Sequence, residues 1–410
     1  MKIIGLIVYC IIIKLSINII PFDIGNGVKY IGVNDHYDHY KVSIQGPNPV
    51  PNGVAYNSYV IIDEKILIVE GIHEFYQKEW LANLDKALNG RKPDYILIQH
   101  MEPDHSGTLN ILIKKYPNVK IVSSIKAFNM MKNIYNEDYN DKRIVVKEGD
   151  KLSLGKHVLQ FIEAPMVHWP EVMFSYDLYT NYLFSCDAFG KFGANDVDEP
   201  WEDESRRFYF GILGKYEKQV QSALNKISKF KIKMILPSHG PILTQNIDHY
   251  LSLYDKWSKY IPEEDGVVIV YSTVHGHTKI AVDKLAEKLK TLGVKYVIHN
   301  LATSHWTNII SDAFKYNSMI LASVTIDNDV SPFMKEFIEV ISTFNYQNRI
   351  VGFIENGSWN PSANQIMKSL VSQCKNISFF KNTVSVYSSL KESSINQINN
   401  LAYDIGKFKK

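Results

Sequence analysis

Short apolar runs bounded by turns recur through the first 240 residues: YNSYVIID, EKILIVEG, DYILIQH, VKIVSS, RIVVK, HVLQFIE, NYLFSCD and KMILP. Runs of this length, rich in β-branched residues, predict buried strands. Helical spacing of apolar positions predicts helices over Glu74 to Leu88 and Gly107 to Lys115. A further helical stretch is expected over Glu202 to Lys229, where Phe208, Ile212, Val220, Leu224 and Ile227 keep that spacing. Strands interleaved with helices predict a layered α/β sandwich. The helix-like NIDHYLSLYDKWSKY stops before Pro262, and the polar PEEDG reads as a linker. Beyond it the order changes to strand, loop, helix: GVVIVY, then STVHGHT, then the amphipathic KIAVDKLAEKLKTLG closed by Gly293. The strands YVIHNL, SMILAS, RIVGFIE and TVSVYSS continue the alternation, which predicts a doubly wound parallel sheet. The expected division is an apolar extension over 1–24, a first domain over 25–260 and a second over 265–410.

Candidate chemistry gathers where these strands end. In QHMEPDHSG, His100, Glu102, Asp104 and His105 fall within six residues, directly after the apolar run Tyr95 to Ile98. His168 in APMVHWPEVM, Asp187 in FSCDAFG and His239 in LPSHGPI each follow another apolar segment. A single His or Asp at a strand end is usually a turn or capping residue. Seven ligand-type side chains on strand-end loops form a far more specific pattern, and it points to a site for two metal ions. His36 and His39, in VNDHYDHYKV, read as solvated surface residues.

The second half offers a different chemistry. Ser272, Thr273, His275, Gly276, His277 and Thr278 form a hydroxyl-rich loop at a helix N-terminus, where backbone N–H groups and the helix dipole favour a phosphate dianion. Hydroxyl residues are also the favoured N-caps, so the loop alone is a weak signal. Two more strand-end loops stand beside it in the order of elements. One carries Ser323, Val324, Thr325, Asp327 and Asn328, the other Asn356, Gly357, Ser358 and Trp359.

Length and composition narrow the class. A chain of 410 residues exceeds what one core of about 150 residues supports, so two or three domains are expected. With 45% hydrophobic and 21% charged residues and a formal charge of +2, nothing marks a nucleic-acid-binding surface. Cys10, Cys186 and Cys374 are odd in number and scattered, which excludes a disulfide framework and supplies no CxxC pair for a rubredoxin-type centre. They fit a reducing compartment, and a cytoplasmic location is expected. Against it, MKIIGLIVYCIIIKLSINII resembles a signal-peptide core, although Lys14 interrupts it and no cleavage site follows. Export or membrane association through this segment stays open.

The motif His-x-Glu-x-Asp-His with the distant His168, Asp187 and His239 resembles the metallo-β-lactamase-fold domain of the flavodiiron proteins. In that variant Glu replaces the second His of the zinc hydrolases' His-x-His-x-Asp-His motif. A carboxylate in that place makes a harder, more anionic site that suits iron better than zinc. The resemblance runs from about residue 25 to the end. It implies a metallo-β-lactamase-like αββα sandwich followed by a flavodoxin-like domain, and reduction of dioxygen to water, of nitric oxide to nitrous oxide, or both. Carried over by position, His100, Glu102 and His168 would hold one iron, Asp104 and His239 the other, and Asp187 would bridge them. His105 is either a ligand or turned away. The three loops would hold FMN, and Ile326 stands where an aromatic is common. The resemblance further implies a head-to-tail homodimer or a dimer of dimers. It also implies a separate electron donor, such as rubredoxin or a reduced deazaflavin.

Two other readings compete. A zinc hydrolase fused to a flavodoxin-like domain would use a metal-bound hydroxide, and Glu102 argues against it. An electron-carrying flavoprotein with a vestigial metal domain has no reason to keep seven ligand-type residues. Metal analysis separates the three.

Overall fold

The computed structural model describes residues 20–36 and 48–408. Most of the apolar N-terminal segment and His39 therefore lie outside the described residues. The chain folds as two compact units, Met1–Asp255 and Lys256–Lys410.

The first unit is built on two sheets. In one, Phe22–Gly25, Val28–Tyr30, Tyr59–Ile62, Ile66–Val69, Tyr95–Leu97, Lys120–Ser123 and Arg143–Val145 lie side by side in that order. Its pairing is antiparallel up to Ile66–Val69 and parallel beyond. The other orders Lys151–Ser153, Val158–Glu163, Met173–Asp177, Tyr182–Cys186 and Met234–Pro237, antiparallel except for its last pair. The two-residue period of a strand sorts the first sheet's side chains into two cores. Tyr59, Leu67, Val69, Leu97 and Val122 pack with Leu159, Phe161, Phe184 and Leu236 of the second sheet. Val60, Ile66, Ile68, Ile96 and Ile121 pack with Trp80, Leu84, Leu112, Phe128 and Met131 of the helices Gln77–Leu88, Leu109–Lys115 and Ile125–Tyr135. The runs that predict buried strands are continuous because both faces of the sheet are covered.

The stretch expected to be helical from Glu202 to Lys229 is not one helix. It runs as Trp201–Phe208, passes into a wider π turn over Tyr209–Leu213, and resumes at Glu217–Ile227. At Gly214 a Cβ would stand 3.0 Å from the Cα and O of Phe210, so the chain packs too tightly on the preceding turn for a regular continuation.

In the second unit the parallel strands lie in the order Tyr296–Asn300, Glu264–Tyr271, Tyr316–Ile326, Gln347–Gly357, Lys375–Phe379, with Val384–Tyr387 also paired to Gln347–Gly357. By position along the chain this is 2-1-3-4-5, the flavodoxin-like doubly wound order. PEEDG is not an open linker here, since the first strand already begins at Glu264. One face of the sheet buries Val267, Ile269, Ile320 and Ile354 against Val282, Leu285 and Leu289 of the helix His277–Thr291. Ile398, Leu401 and Ile405 of the helix Glu392–Lys407 join the same core. Among the described residues no helix is long and apolar enough to cross a membrane.

Candidate metal centre and flavin pocket

All seven predicted ligands meet at one edge of the two-sheet sandwich, each carried by the loop that leaves a strand. Pro103 starts a single helical turn, Pro103–Ser106, with Glu102 as its N-cap, and this turn sets Glu102, Asp104 and His105 on successive sides of one small space. The Asp187 and His239 loops are tied together by Ser238 N–H donating to the Cys186 carbonyl at 2.8 Å. The Asn57 amide donates to the carbonyls of Pro237 and Gly240 at 2.8 and 2.7 Å. Gly190 permits the close approach, since a Cβ there would come within 2.9 Å of the Asp187 carbonyl and 3.2 Å of that of His239.

The seven side chains form two sets that share Asp187. Asp187 Oδ2 lies 3.6 Å from His100 Nε2 and 3.2 Å from His168 Nε2. Glu102 Oε2 completes that set at 3.2 Å from His100 Nε2 and 3.1 Å from His168 Nε2. Asp187 Oδ1 turns to the other set, 3.1 Å from His105 Nε2 and 3.3 Å from His239 Nε2. Asp104 stands 3.7 Å from His105 and 3.4 Å from His239. Metal–ligand bonds of about 2.1 Å place neighbouring ligand atoms roughly 3.0 Å apart in an octahedron and about 3.4 Å in a tetrahedron. The observed separations have that size. His105 Nε2 and Asp187 Oδ1 are both buried without a hydrogen-bond partner although 3.1 Å apart. The two atoms are thus turned toward a common space rather than toward each other. A donor set of imidazoles and carboxylates without thiolate suits a borderline or hard divalent cation, iron among them.

The electrostatics of the centre agree. Burial works against the charged form of Asp187, yet His105, His168 and His239 outweigh it and hold the carboxyl well below its usual range. Burial likewise opposes the imidazolium of His168, and Asp187 and Glu102 raise it to about 9. Burial opposes the charge on His105 too, but Asp187 and Asp104 push it well above its ordinary value. The raised values of His105 and His168 favour their protonated forms in the absence of cations, so metal uptake would have to displace those protons.

Sequence reasoning misses what stands behind the ligands. Glu171, with a fully buried side chain, accepts from His100 Nδ1 at 2.8 Å and from Met101 N–H at 2.9 Å. His239 Nδ1 donates to the Ala55 carbonyl at 2.8 Å. Glu70 accepts from Gln99 N–H and sets its other oxygen 3.7 Å from His105 Nδ1; burial pushes its carboxyl upward. The one signal in the chain is the glutamate in HWPE, directly beside a candidate ligand. His36 is exposed and pairs with Asp196 at 2.9 Å, away from the ligand sets.

In the second unit a cavity of about 820 Å³ opens at the carboxyl ends of the parallel strands. That is the position at which such sheets bind ligands and within the usual size range. Thr273, His275, His277 and Thr278 line it from the first loop, Val324, Thr325, Asp327 and Asn328 from the second, and Asn356, Gly357, Ser358 and Trp359 from the third. The side chains of Ser272 and Ser323 do not reach it. Both are buried, Ser272 just after its strand with Oγ 2.7 Å from Ser331 Oγ, and Ser323 within its strand with Oγ bonded to the Val324 carbonyl. Gly276 is not among the lining residues; it takes φ 85° as the N-cap of His277–Thr291. Ile326 also faces the cavity, as does Ser388, from a fourth loop that carries no sequence signal. Ser388 closes against the third loop through its carbonyl to the Asn356 amide and its hydroxyl to Ser358. Thr278 Oγ1 is buried at the helix N-terminus without a hydrogen-bond partner, as a phosphate acceptor would require.

Comparison with known proteins agrees with this architecture. The family model for ODP family beta lactamases matches residues 54–240. A nitric oxide reductase of Moorella thermoacetica is 28% identical over 366 residues, 87% of this chain and 90% of that protein. Among solved structures, rubredoxin oxygen:oxidoreductase of Desulfovibrio gigas superposes with a TM-score of 0.85 at 25% identity, covering 94% of this chain and 98% of that one. The flavodiiron protein of Giardia intestinalis shares the fold with a TM-score of 0.81 at 22% identity, over 94% and 96% of the two chains. A lactamase-fold unit bearing paired ligand sets, followed by a flavodoxin-like unit, defines a two-module oxidoreductase. Over nearly its whole length the chain is similar to flavodiiron proteins and to nitric oxide reductases.

Proposed function

We propose that the seven strand-end side chains hold two irons and the second-unit cavity holds FMN, in an oxidoreductase that reduces dioxygen to water, nitric oxide to nitrous oxide, or both. The observation that carries this reading is Asp187, whose two carboxylate oxygens each face a different set of ligands. A carboxylate so placed spans two cations and offsets part of their mutual repulsion. His100, Glu102 and His168 form one position and Asp104, His105 and His239 the other.

When bound, the paired irons would supply the electrons for reducing the gas and FMN would relay electrons to them. The protein's own contribution is geometric. Glu171 and the Ala55 carbonyl orient His100 and His239 from behind. Glu102, with 37% of its side chain exposed, forms the open side of the first position, while His100, His105 and Asp187 are sealed from solvent and keep water from the inner side. At the cavity, Thr278 and the N–H groups beginning His277–Thr291 would take the phosphate, with Asn356 and Trp359 nearer the ring. Electrons come from a separate donor, such as rubredoxin or a reduced deazaflavin, and the working unit is a head-to-tail homodimer.

Protein expressed anaerobically with iron is expected to contain about two irons and one FMN per chain, and the reduced enzyme to consume dioxygen or nitric oxide. Comparing both gases side by side assigns the preference. Zinc at both positions, or no gas consumption by an iron-loaded and reduced protein, overturns the proposal.

A further inference from the structure

His168, Trp169 and Glu171 come from one short turn, and all three face the imidazole of His100. The Trp169 ring meets it edge-on, with centroids 4.9 Å apart and planes at 87°. Glu171 stands on the side away from the ligand cluster. Its Oε1 accepts from both His100 Nδ1 and the Met101 N–H. The backbone donor pins that oxygen in place, so Nδ1 donates to it, and Nε2, 3.2 Å from Glu102 Oε2, is the nitrogen left for a metal once its own proton is displaced. The other ligand set is backed differently. His239 Nδ1 donates to a neutral carbonyl, that of Ala55, and His105 Nδ1 is 3.7 Å from Glu70, beyond hydrogen-bond reach. One set is thus backed by a buried carboxylate hydrogen-bonded to its histidine, and the other by a peptide carbonyl on His239 and a buried carboxylate, Glu70, that stays out of hydrogen-bond reach of His105.

We infer that Glu171 is a positioning residue that fixes His100 as an Nε2 donor and, by its charge, makes the two metal positions electronically unequal. A carboxylate behind an imidazole raises its basicity as a ligand. The stronger donor favours the more oxidised metal, so the position held by His100, Glu102 and His168 is the harder of the two to reduce. The inference rests on the diiron reading given above and adds a direction to it.

The test uses full-length wild type, Glu171→Gln and Glu171→Ala, stripped of metal, reloaded anaerobically with ⁵⁷Fe(II), and followed by Mössbauer spectroscopy and EPR-monitored redox titration. Gln keeps an oxygen that can accept from Nδ1 and Met101 N–H but removes the charge. In Glu171→Gln, iron content stays at the wild-type level, one ferrous quadrupole doublet shifts while the other is unchanged, and the lower of the two iron potentials rises. In Glu171→Ala, iron affinity at one position falls by about tenfold or more. Wild-type doublets and potentials in Glu171→Gln, or equal shifts in both doublets, overturn the inference. A wild type that takes up no iron overturns the diiron reading instead.

Discussion

The two candidate sites are made of opposite materials. The candidate metal centre is a set of side chains drawn from residues 100 to 239, most of them buried, with His100 and His239 held by hydrogen bonds from behind. The cavity of the second unit is lined by loops that mix hydroxyls and amides with Val274, Val324 and Ile326, and Trp359 at its rim is 87% exposed. A metal needs few donors at fixed separations, so scaffold rigidity is spent on individual atoms. A dinucleotide-sized or smaller cofactor needs a long cradle with many weak contacts, and loops at the ends of parallel strands supply it. Damage should therefore be concentrated in the first unit and graded in the second.

The largest effect is expected from Asp187→Asn. It removes charge from both ligand sets at once, so bound iron should fall below half of the wild-type level and gas consumption by about a hundredfold or more, as loss of a bridging carboxylate between two cations implies. FMN content should not change. Metal analysis beside flavin absorbance checks both halves, and full iron retention would show that the bridge is dispensable. The mirror experiment is Thr278→Glu. A carboxylate at the helix N-terminus would occupy the place of the phosphate, and a cost of about 3 kcal/mol for a buried, opposed charge corresponds to roughly a hundredfold weaker FMN binding. Iron content should stay at wild type; its loss would mean that the two sites are not separable.

That separability is only half readable from the chain. His100, Glu102, Asp104 and His105 stand together in six residues and the remaining ligands each follow an apolar strand, so the donor set can be read directly. Glu171 and Glu70 cannot, because a glutamate near a proline or a turn reads as solvated unless the tertiary packing that buries it is known. Ser272 and Ser323 are expected at the cavity because hydroxyls in such loops favour phosphate. Ser323 is buried within its strand, and Ser272, just past the end of its own, is turned toward Ser331. The fourth loop, with Ser388, has no sequence signal at all. It reaches the cavity only because Val384–Tyr387 pairs with Gln347–Gly357. The helical stretch after Glu202 keeps its spacing in sequence and loses it in space, where Gly214 packs on Phe210.

The smallest predicted effect probes support for the first unit away from both sites. His157 places Nδ1 2.8 Å from Asp177 and Nε2 2.8 Å from the Asn26 carbonyl, joining the N-terminal hairpin to the second sheet. Burial opposes its charge but Asp177, the Asn26 carbonyl and Asp63 raise its pKa, while Asp177 is lowered, its burial outweighed by His157 and Thr180. The raised histidine stabilises fully below its unfolded value of about 6.5 and less as pH rises through the folded value. The lowered Asp177 contributes above its unfolded value and is lost as pH falls through the folded one. His157→Gln should therefore lower Tm most near pH 5 to 6 and least near pH 9. The maximum is about 2 kcal/mol, or roughly 4–8 °C for a unit of this size. Thermal melts across that range check the sign, and a pH-independent deficit would assign His157 to packing alone.

The division of Asp187 between two ligand sets has a consequence for assembly. Fixing one of its oxygens on a first cation also fixes the rotation of the carboxyl group, and the second oxygen is then already aimed at its own position. With cations bound, the orientational entropy of that shared group would be lost once rather than twice, and protons displaced from the imidazoles would offset part of the charge that the first cation adds. If both sets hold cations, a half-loaded preparation would contain more full and empty molecules than independent filling gives, and an average of one metal per chain would understate how many chains are complete.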